Sequence, residues 1–281
     1  MALVHSLWTK PILNNERSID ANRQIESVIW CYASSVAYAK RLGEPIYLYT
    51  DEFGRELLGF LPYDRVELLD VPEIIPTDFW AAGKFYAYQK MDIGDVHIDG
   101  DVFIKKQKLL DTIKFGLRNN DLIIQSVENN QAYKNQYYLR CIELLKSNNI
   151  VFRDITSYYT PAYNCGLIGF NNAELKDKYI NHYLQSIERI CCNSNAMQQI
   201  RNQKDTWMDL ILEQQHLYSL AQDYNVYNLL GEGDNVNYNA CKLGYQHLLG
   251  SDKWERLEDI QAQLECLDPK MFQMIIEQYY D

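Results

Sequence analysis

Two carboxylates one residue apart stand at the centre of VHIDGDVFI, where Asp99 and Asp101 flank Gly100 between short apolar runs. A turn at Gly100 brings both side chains toward one point, and paired carboxylate oxygens suit a hard divalent cation such as Mn²⁺ or Mg²⁺. A water-exposed Asp-Gly hairpin turn has the same sequence, so the triplet alone leaves both readings open. A second cluster, HLLGSDKW, comes late in the chain and sets His247, Gly250 and Lys253 in a His-x-x-Gly-x-x-Lys pattern. Imidazole adds a nitrogen ligand to a carboxylate-bound metal, glycine lets backbone approach a phosphate, and lysine supplies a point charge for a diphosphate oxygen. Apart, His247 and Lys253 read as ordinary surface groups; together with the aspartates they describe a pyrophosphate clamp.

HIDGDVF and HLLGSDKW, in that order and at that separation, resemble the metal motif and the carboxyl-terminal diphosphate motif of family-8-type glycosyltransferases, the group of glycogenin and bacterial lipopolysaccharide galactosyltransferases. The resemblance implies a GT-A, Rossmann-like nucleotide-diphospho-sugar transferase fold with a mixed, mostly parallel central sheet. It implies Asp99, Asp101 and His247 on Mn²⁺, Lys253 on the diphosphate of a UDP-sugar donor, and a glycan or other acceptor. The family's proline after that lysine is here Trp254. Weaker similarities extend over most of the chain. Lys84, fifteen residues before Asp99, matches a donor-binding basic position; Asn164 and Gly166 in YNCGLIGF match a segment beside the donor sugar. Glu213, Gln214 and Gln215 in LEQQHLY align with an Asp-Gln-Asp helix start near the reacting carbon, although two of the three residue types differ. Thr50 and Asp51 close a strand where such enzymes contact the nucleoside; a helix-capping aspartate is the alternative. The resemblance implies hexosyl transfer with retained configuration, yet no residue identifies itself as a nucleophile, and attack without a covalent enzyme intermediate fits equally.

These groups need a scaffold, and hydrophobic periodicity supplies one. Ala2–Trp8 is a short apolar segment. Ile25, Val28, Ile29, Tyr32, Val36 and Ala39 recur at helical spacing and stop at Arg41, Gly43 and Pro45. IYLYTD reads as a strand, FGRELLGFLPYD as a short helix, VELLDV as a strand and Phe79–Met91 as a helix. VHI and VFI then bracket the aspartates. A helix at Leu109–Leu117, the strand LIIQSV, a helix at Tyr133–Leu145, the strand IVFRDI and the segment CGLIGF follow, then helices near Leu175–Ile190 and Thr206–Ala221. Residues 223–240, rich in Asn, Gly and Asp, read as a loop or lid. This alternation predicts an α/β domain with a largely parallel sheet, ligands gathering beyond the strands' carboxyl ends. With no repeat or linker, one domain spans 1–281. By resemblance, 1–104 forms the nucleotide-binding half through the Asp-x-Asp motif, and 105–281 the acceptor-side half with a helical carboxyl-terminal portion.

Composition narrows the alternatives. The 281 residues are 47% hydrophobic, enough for a full core, and the net charge of −11 without a basic block excludes a nucleic-acid surface. No apolar run approaches the roughly 18 residues that span a bilayer, and the start lacks a signal pattern; the expectation is a cytoplasmic chain without a transmembrane segment. Seven cysteines with no Cys-x-x-Cys pair argue against a disulfide framework or zinc site. GxGxxG, GxxxxGK[ST], GxSxG and HExxH are absent. A haloacid-dehalogenase-type phosphatase also uses an Asp-x-Asp pair, but with Thr where Val102 stands and nearer the start. A catalytically silent GT-A-like domain that binds a nucleotide or glycan is the other alternative, and twenty-two tyrosines suit carbohydrate stacking in either case.

Overall fold

The computed structural model describes residues 1–14, 21–128, 135–152, 161–202, 208–250 and 252–280. Among the described residues nine strands form two sheets: β1 (Leu3–Leu7), β2 (Ile46–Thr50), β3 (Arg65–Leu68), β4 (Val96–Ile98), β5 (Val102–Ile104), β6 (Leu122–Glu128), β7 (Ala162–Phe170), β8 (Val226–Asn228) and β9 (Tyr245–His247). The large sheet has the order β3-β2-β1-β4-β7-β6-β8, and β5 pairs with β9 in a separate ribbon. Neighbours in the large sheet run parallel except on both sides of β7, which is antiparallel to β4 and to β6. The architecture is therefore α/β with a mixed, mostly parallel central sheet and flanking helices. The order β3-β2-β1-β4 is that of a doubly wound half-sheet, whose connections reverse direction between β1 and β4.

Both faces of the sheet are covered, as parallel strands require. Side chains alternate across a strand, so Leu3 and Val4 on β1, or Leu122 and Ile123 on β6, enter cores on opposite faces. On one face the helix Ala82–Lys90 packs against Ala173–Cys191, with Phe85 stacked on Tyr183 at 3.5 Å between ring centroids. On the other face lies Ala21–Arg41, ended by Gly43 at φ +72°, a left-handed conformation that favours glycine. Helices Leu257–Leu267 and Pro269–Tyr279 complete the carboxyl-terminal portion, and Trp30 meets Phe272 across that contact. Among the described residues no helix is long and apolar enough to cross a membrane.

Three local expectations are corrected. Residues 223–240 are no plain loop, since they hold β8 and most of the helix Asn235–Leu243; Gly231 and Gly233, both at positive φ, make the turns between them. Asn, Gly and Asp marked those turns and hid a strand that exists by pairing with β6. In IVFRDI, Ile150–Phe152 form no strand. Ile150 and Phe152 are buried pegs after the helix Asn135–Ser147, and the rest of the segment lies outside the described residues. The expected Thr206–Ala221 helix is continuous only in part: Thr206 lies outside the described residues, Leu210–Gln215 is a π-helix, and His216–Leu220 is α-helical.

Candidate metal centre

Asp99 and Asp101 sit where β4 gives way to β5, beyond the carboxyl end of β4 and beside that of β1, the position at which doubly wound sheets gather ligands. Pairing delivers the distant histidine. β5 and β9 are antiparallel with Val102 opposite His247, and the Leu248 amide donates to the Asp101 carbonyl at 3.1 Å. One ligand atom each from Asp99, Asp101 and His247 all lie within 4.8 Å of one another, with His247 Nε2 3.4 Å from Asp101 Oδ1 and 4.0 Å from Asp99 Oδ2. Two carboxylates and an imidazole match the donor set of Mn²⁺ or Mg²⁺, the nitrogen favouring Mn²⁺.

The neighbouring groups orient these donors. His247 Nδ1 meets Gln125 Oε1 at 2.9 Å, and the Tyr245 hydroxyl donates to the same oxygen at 2.5 Å. With Nδ1 as the donor, Nε2 keeps its lone pair toward the aspartates, the arrangement that orients metal-binding histidines. Gln125 stands at an irregularity in the β6–β7 register between Ile124 and Ser126, which re-aims its side chain. Gly166 backs the site: its carbonyl accepts the Asp99 amide at 2.9 Å, and a Cβ there would fall 2.4 Å from His247 Cε1. Gly100 needs no positive φ. Its lack of a side chain makes room for the Tyr32 ring, 1.9 Å from where a Cβ would be.

Two lysines complete the cluster. Lys84 Nζ lies 2.8 Å from Asp99 Oδ1 and 3.1 Å from Glu213 Oε1; Lys253 Nζ lies 2.6 Å from Asp101 Oδ2. Burial alone would raise the Asp101 carboxyl, but the Lys253 ammonium beside it holds it well below the usual carboxylate range. Burial opposes the charge on Lys84, and Asp99 with Glu213 overcomes it, raising that ammonium well above its ordinary value. Glu213 is itself raised, first by burial and then by the Asp99 charge, against the opposing pull of Lys84.

The structure thus brings together Asp99, Asp101, His247, Lys253, Lys84 and Glu213, with Gly166 beneath. Thr50 donates to the Leu7 carbonyl at 2.7 Å. Asp51 caps Glu52–Leu58 through the Gly54 amide at 2.9 Å and holds Thr9 by its amide at 2.7 Å, which pins the segment after β1. Asn164 spends its amide on the Gly166 N–H at 3.0 Å and on Glu128 at 2.8 Å; Gln214 accepts from Tyr138 at 2.7 Å. Gly250, at φ +59°, turns the chain from β9 toward the short helix Asp252–Glu255. Gln125, Tyr245 and the buried Asp209 escaped the sequence reading. A lone glutamine inside the apolar run LIIQSV was the available signal for the first.

A cleft of about 230 Å³ opens over the cluster, lined by Lys84, Asp99, Asp101 and Lys253 and by the rings of Trp8, Tyr32 and Trp80. A larger groove of about 850 Å³, framed by residues such as Ile74, Ile75, Leu184 and Met197, contains none of the ligand set. A model described as "Family of unknown function (DUF6734)" matches residues 1–278. The chain belongs to this family. No curated protein matches. Four chains of solved structures match. Among them is the crystal structure of mouse xyloside xylosyltransferase 1 in its apo form, 13% identical, covering 81% of this chain and 84% of that one with a TM-score of 0.39.

Proposed function

We propose that this DUF6734 chain is a metal-dependent glycosyltransferase that moves a hexosyl group from a UDP-sugar to a glycan or other acceptor. One observation carries the reading. Asp99, Asp101 and His247 converge within 4.8 Å at the point where the sheet's connections reverse, in a cleft that also presents two lysines and three aromatic rings.

Asp99, Asp101 and His247 would hold Mn²⁺ or Mg²⁺, which supplies a Lewis acid for the charge that develops on the leaving diphosphate. Lys253 contributes a second positive group for that charge. Lys84 orients Asp99 and, through Glu213, ties the metal ligands to the π-helical segment on the acceptor side. Glu213, with Gln214 beside it, faces the sugar's reacting carbon in this reading. Trp80, 40% exposed at the cleft, offers a ring on which a sugar stacks. Residues 1–104 act as the nucleotide-binding half and 105–281 as the acceptor-side half, and the family-8 resemblance points to retained configuration.

Incubation with UDP-, GDP- and CMP-sugars, with and without Mn²⁺, tests the proposal. Slow release of UDP that requires Mn²⁺ is expected. Asp99→Asn and Asp101→Asn should each lower it about 100-fold or more while the circular dichroism spectrum is kept, since each removes a charged ligand. Metal-independent release, or full activity in both variants, would contradict it.

A further inference from the structure

Both aspartates of the cluster are neutralised by lysine, but the two lysines are held very differently. Lys84 lies within the nine-residue helix Ala82–Lys90, which Phe85 anchors by its stack on Tyr183, and it bridges Asp99 to Glu213. Its side chain is 13% exposed. Lys253 stands on a four-residue helix with no buried residue, just after the exposed Gly250, and its own side chain is 32% exposed. Its ion-pair partner is Asp101, whose Oδ2 it approaches to 2.6 Å while His247 Nε2 stands 3.4 Å from Oδ1.

An ammonium at that distance opposes a divalent cation whether or not the two share an oxygen, because like charges a few ångströms apart repel strongly where little water screens them. The buried Asp101 nevertheless needs a cationic partner, since an unpaired carboxylate there is costly. A nucleoside diphosphate bound in the cleft would offer Lys253 a more highly charged partner. Resting on the metal-dependent reading above, we propose that Lys253 is a built-in counter-ion of the metal centre. It neutralises Asp101 until the diphosphate draws it away, so that cation and nucleotide bind cooperatively. By linkage, each must then raise the other's affinity by the same factor.

The sign of one measurement separates this role from that of a residue that merely orients Asp101. Mn²⁺ binding is followed by electron paramagnetic resonance, first alone and then with UDP, for the wild type, Lys253→Met and Lys253→Gln. The first variant keeps the length of the side chain and the second a polar head, so the two do not share a single folding risk. Both should bind Mn²⁺ alone about tenfold more tightly than the wild type, because the competing state that lowers apparent affinity is gone. The factor by which UDP strengthens Mn²⁺ binding should shrink correspondingly. Equal or weaker Mn²⁺ affinity in the variants, with wild-type binding present, overturns the counter-ion role and leaves the metal site standing. Failure of the wild type to bind Mn²⁺, alone or with UDP, overturns both.

Discussion

Glycine at position 166 is a requirement imposed from another strand. A Cβ there would stand 2.4 Å from both Gln125 Oε1 and His247 Cε1, so Gly166→Ala must displace the pair that fixes the metal-facing nitrogen. Such supporting contacts typically contribute 10–100-fold in metal affinity. Gly166→Ala should therefore weaken Mn²⁺ binding by at least about tenfold with the secondary structure kept; unchanged affinity in a titration would remove His247 from the ligand set. Asp209 carries a different signature. Fully buried, it accepts the Ala81 amide at 3.0 Å and the Tyr183 hydroxyl at 2.7 Å, and burial pushes its carboxyl up to about 7. The folded protein then holds a proton that the unfolded chain releases near an ordinary carboxylate pKa. The associated stability is complete below that value and is lost as pH rises to about 7, on the order of 4 kcal/mol for a shift of this size. Asp209→Asn keeps an acceptor and removes the charge. Its melting temperature should come closest to that of the wild type below about pH 4 and exceed it by several degrees near pH 8. Parallel curves across that range would show that the site does not titrate.

Two elements decide how the cluster is assembled. The ribbon of β5 and β9 joins the end of the first hundred residues to the carboxyl-terminal motif, and its register, Val102 opposite His247, sets the histidine over the aspartates. The π-helix Leu210–Gln215 widens the backbone turn that presents Glu213 to Lys84, and the Tyr179 hydroxyl satisfies the Glu213 carbonyl at 3.0 Å. The two motifs were legible because ligand chemistry restricts residue type: the family-8 resemblance put Asp99, Asp101, His247 and Lys253 in one site, and their side chains lie together. Their pairing was not, since three-residue strands such as VHI and YQH are too short for period-two patterning and exist through their partners. Periodicity does place the long helices, Ala21–Arg41 and Ala173–Cys191, within a few residues. It is silent about the switch from α to π at Leu210, which depends on tertiary contacts rather than on any local residue preference. Gln125 was equally hidden, because a polar residue in an apolar strand declares its partner only once β9 is in place.

At the scale of the molecule, the seven-stranded sheet, with cores on both faces, sets the candidate site at the carboxyl ends of β1 and β4 where the connections reverse. The net charge of −11 does not contradict an anionic ligand, because the cleft itself is lined by Lys84 and Lys253 beside Asp99 and Asp101. In the proposed function a divalent cation would convert that balanced set into a locally positive one, the condition for receiving a diphosphate. Crystals of the protein grown with Mn²⁺ and UDP, measured at a wavelength where manganese scatters anomalously, test this account most directly. A single strong anomalous peak is expected at about 2.0–2.6 Å from carboxylate oxygens of Asp99 and Asp101 and from His247 Nε2, with a diphosphate oxygen beside it. A peak on other residues, or none at saturating Mn²⁺ and UDP, would contradict it.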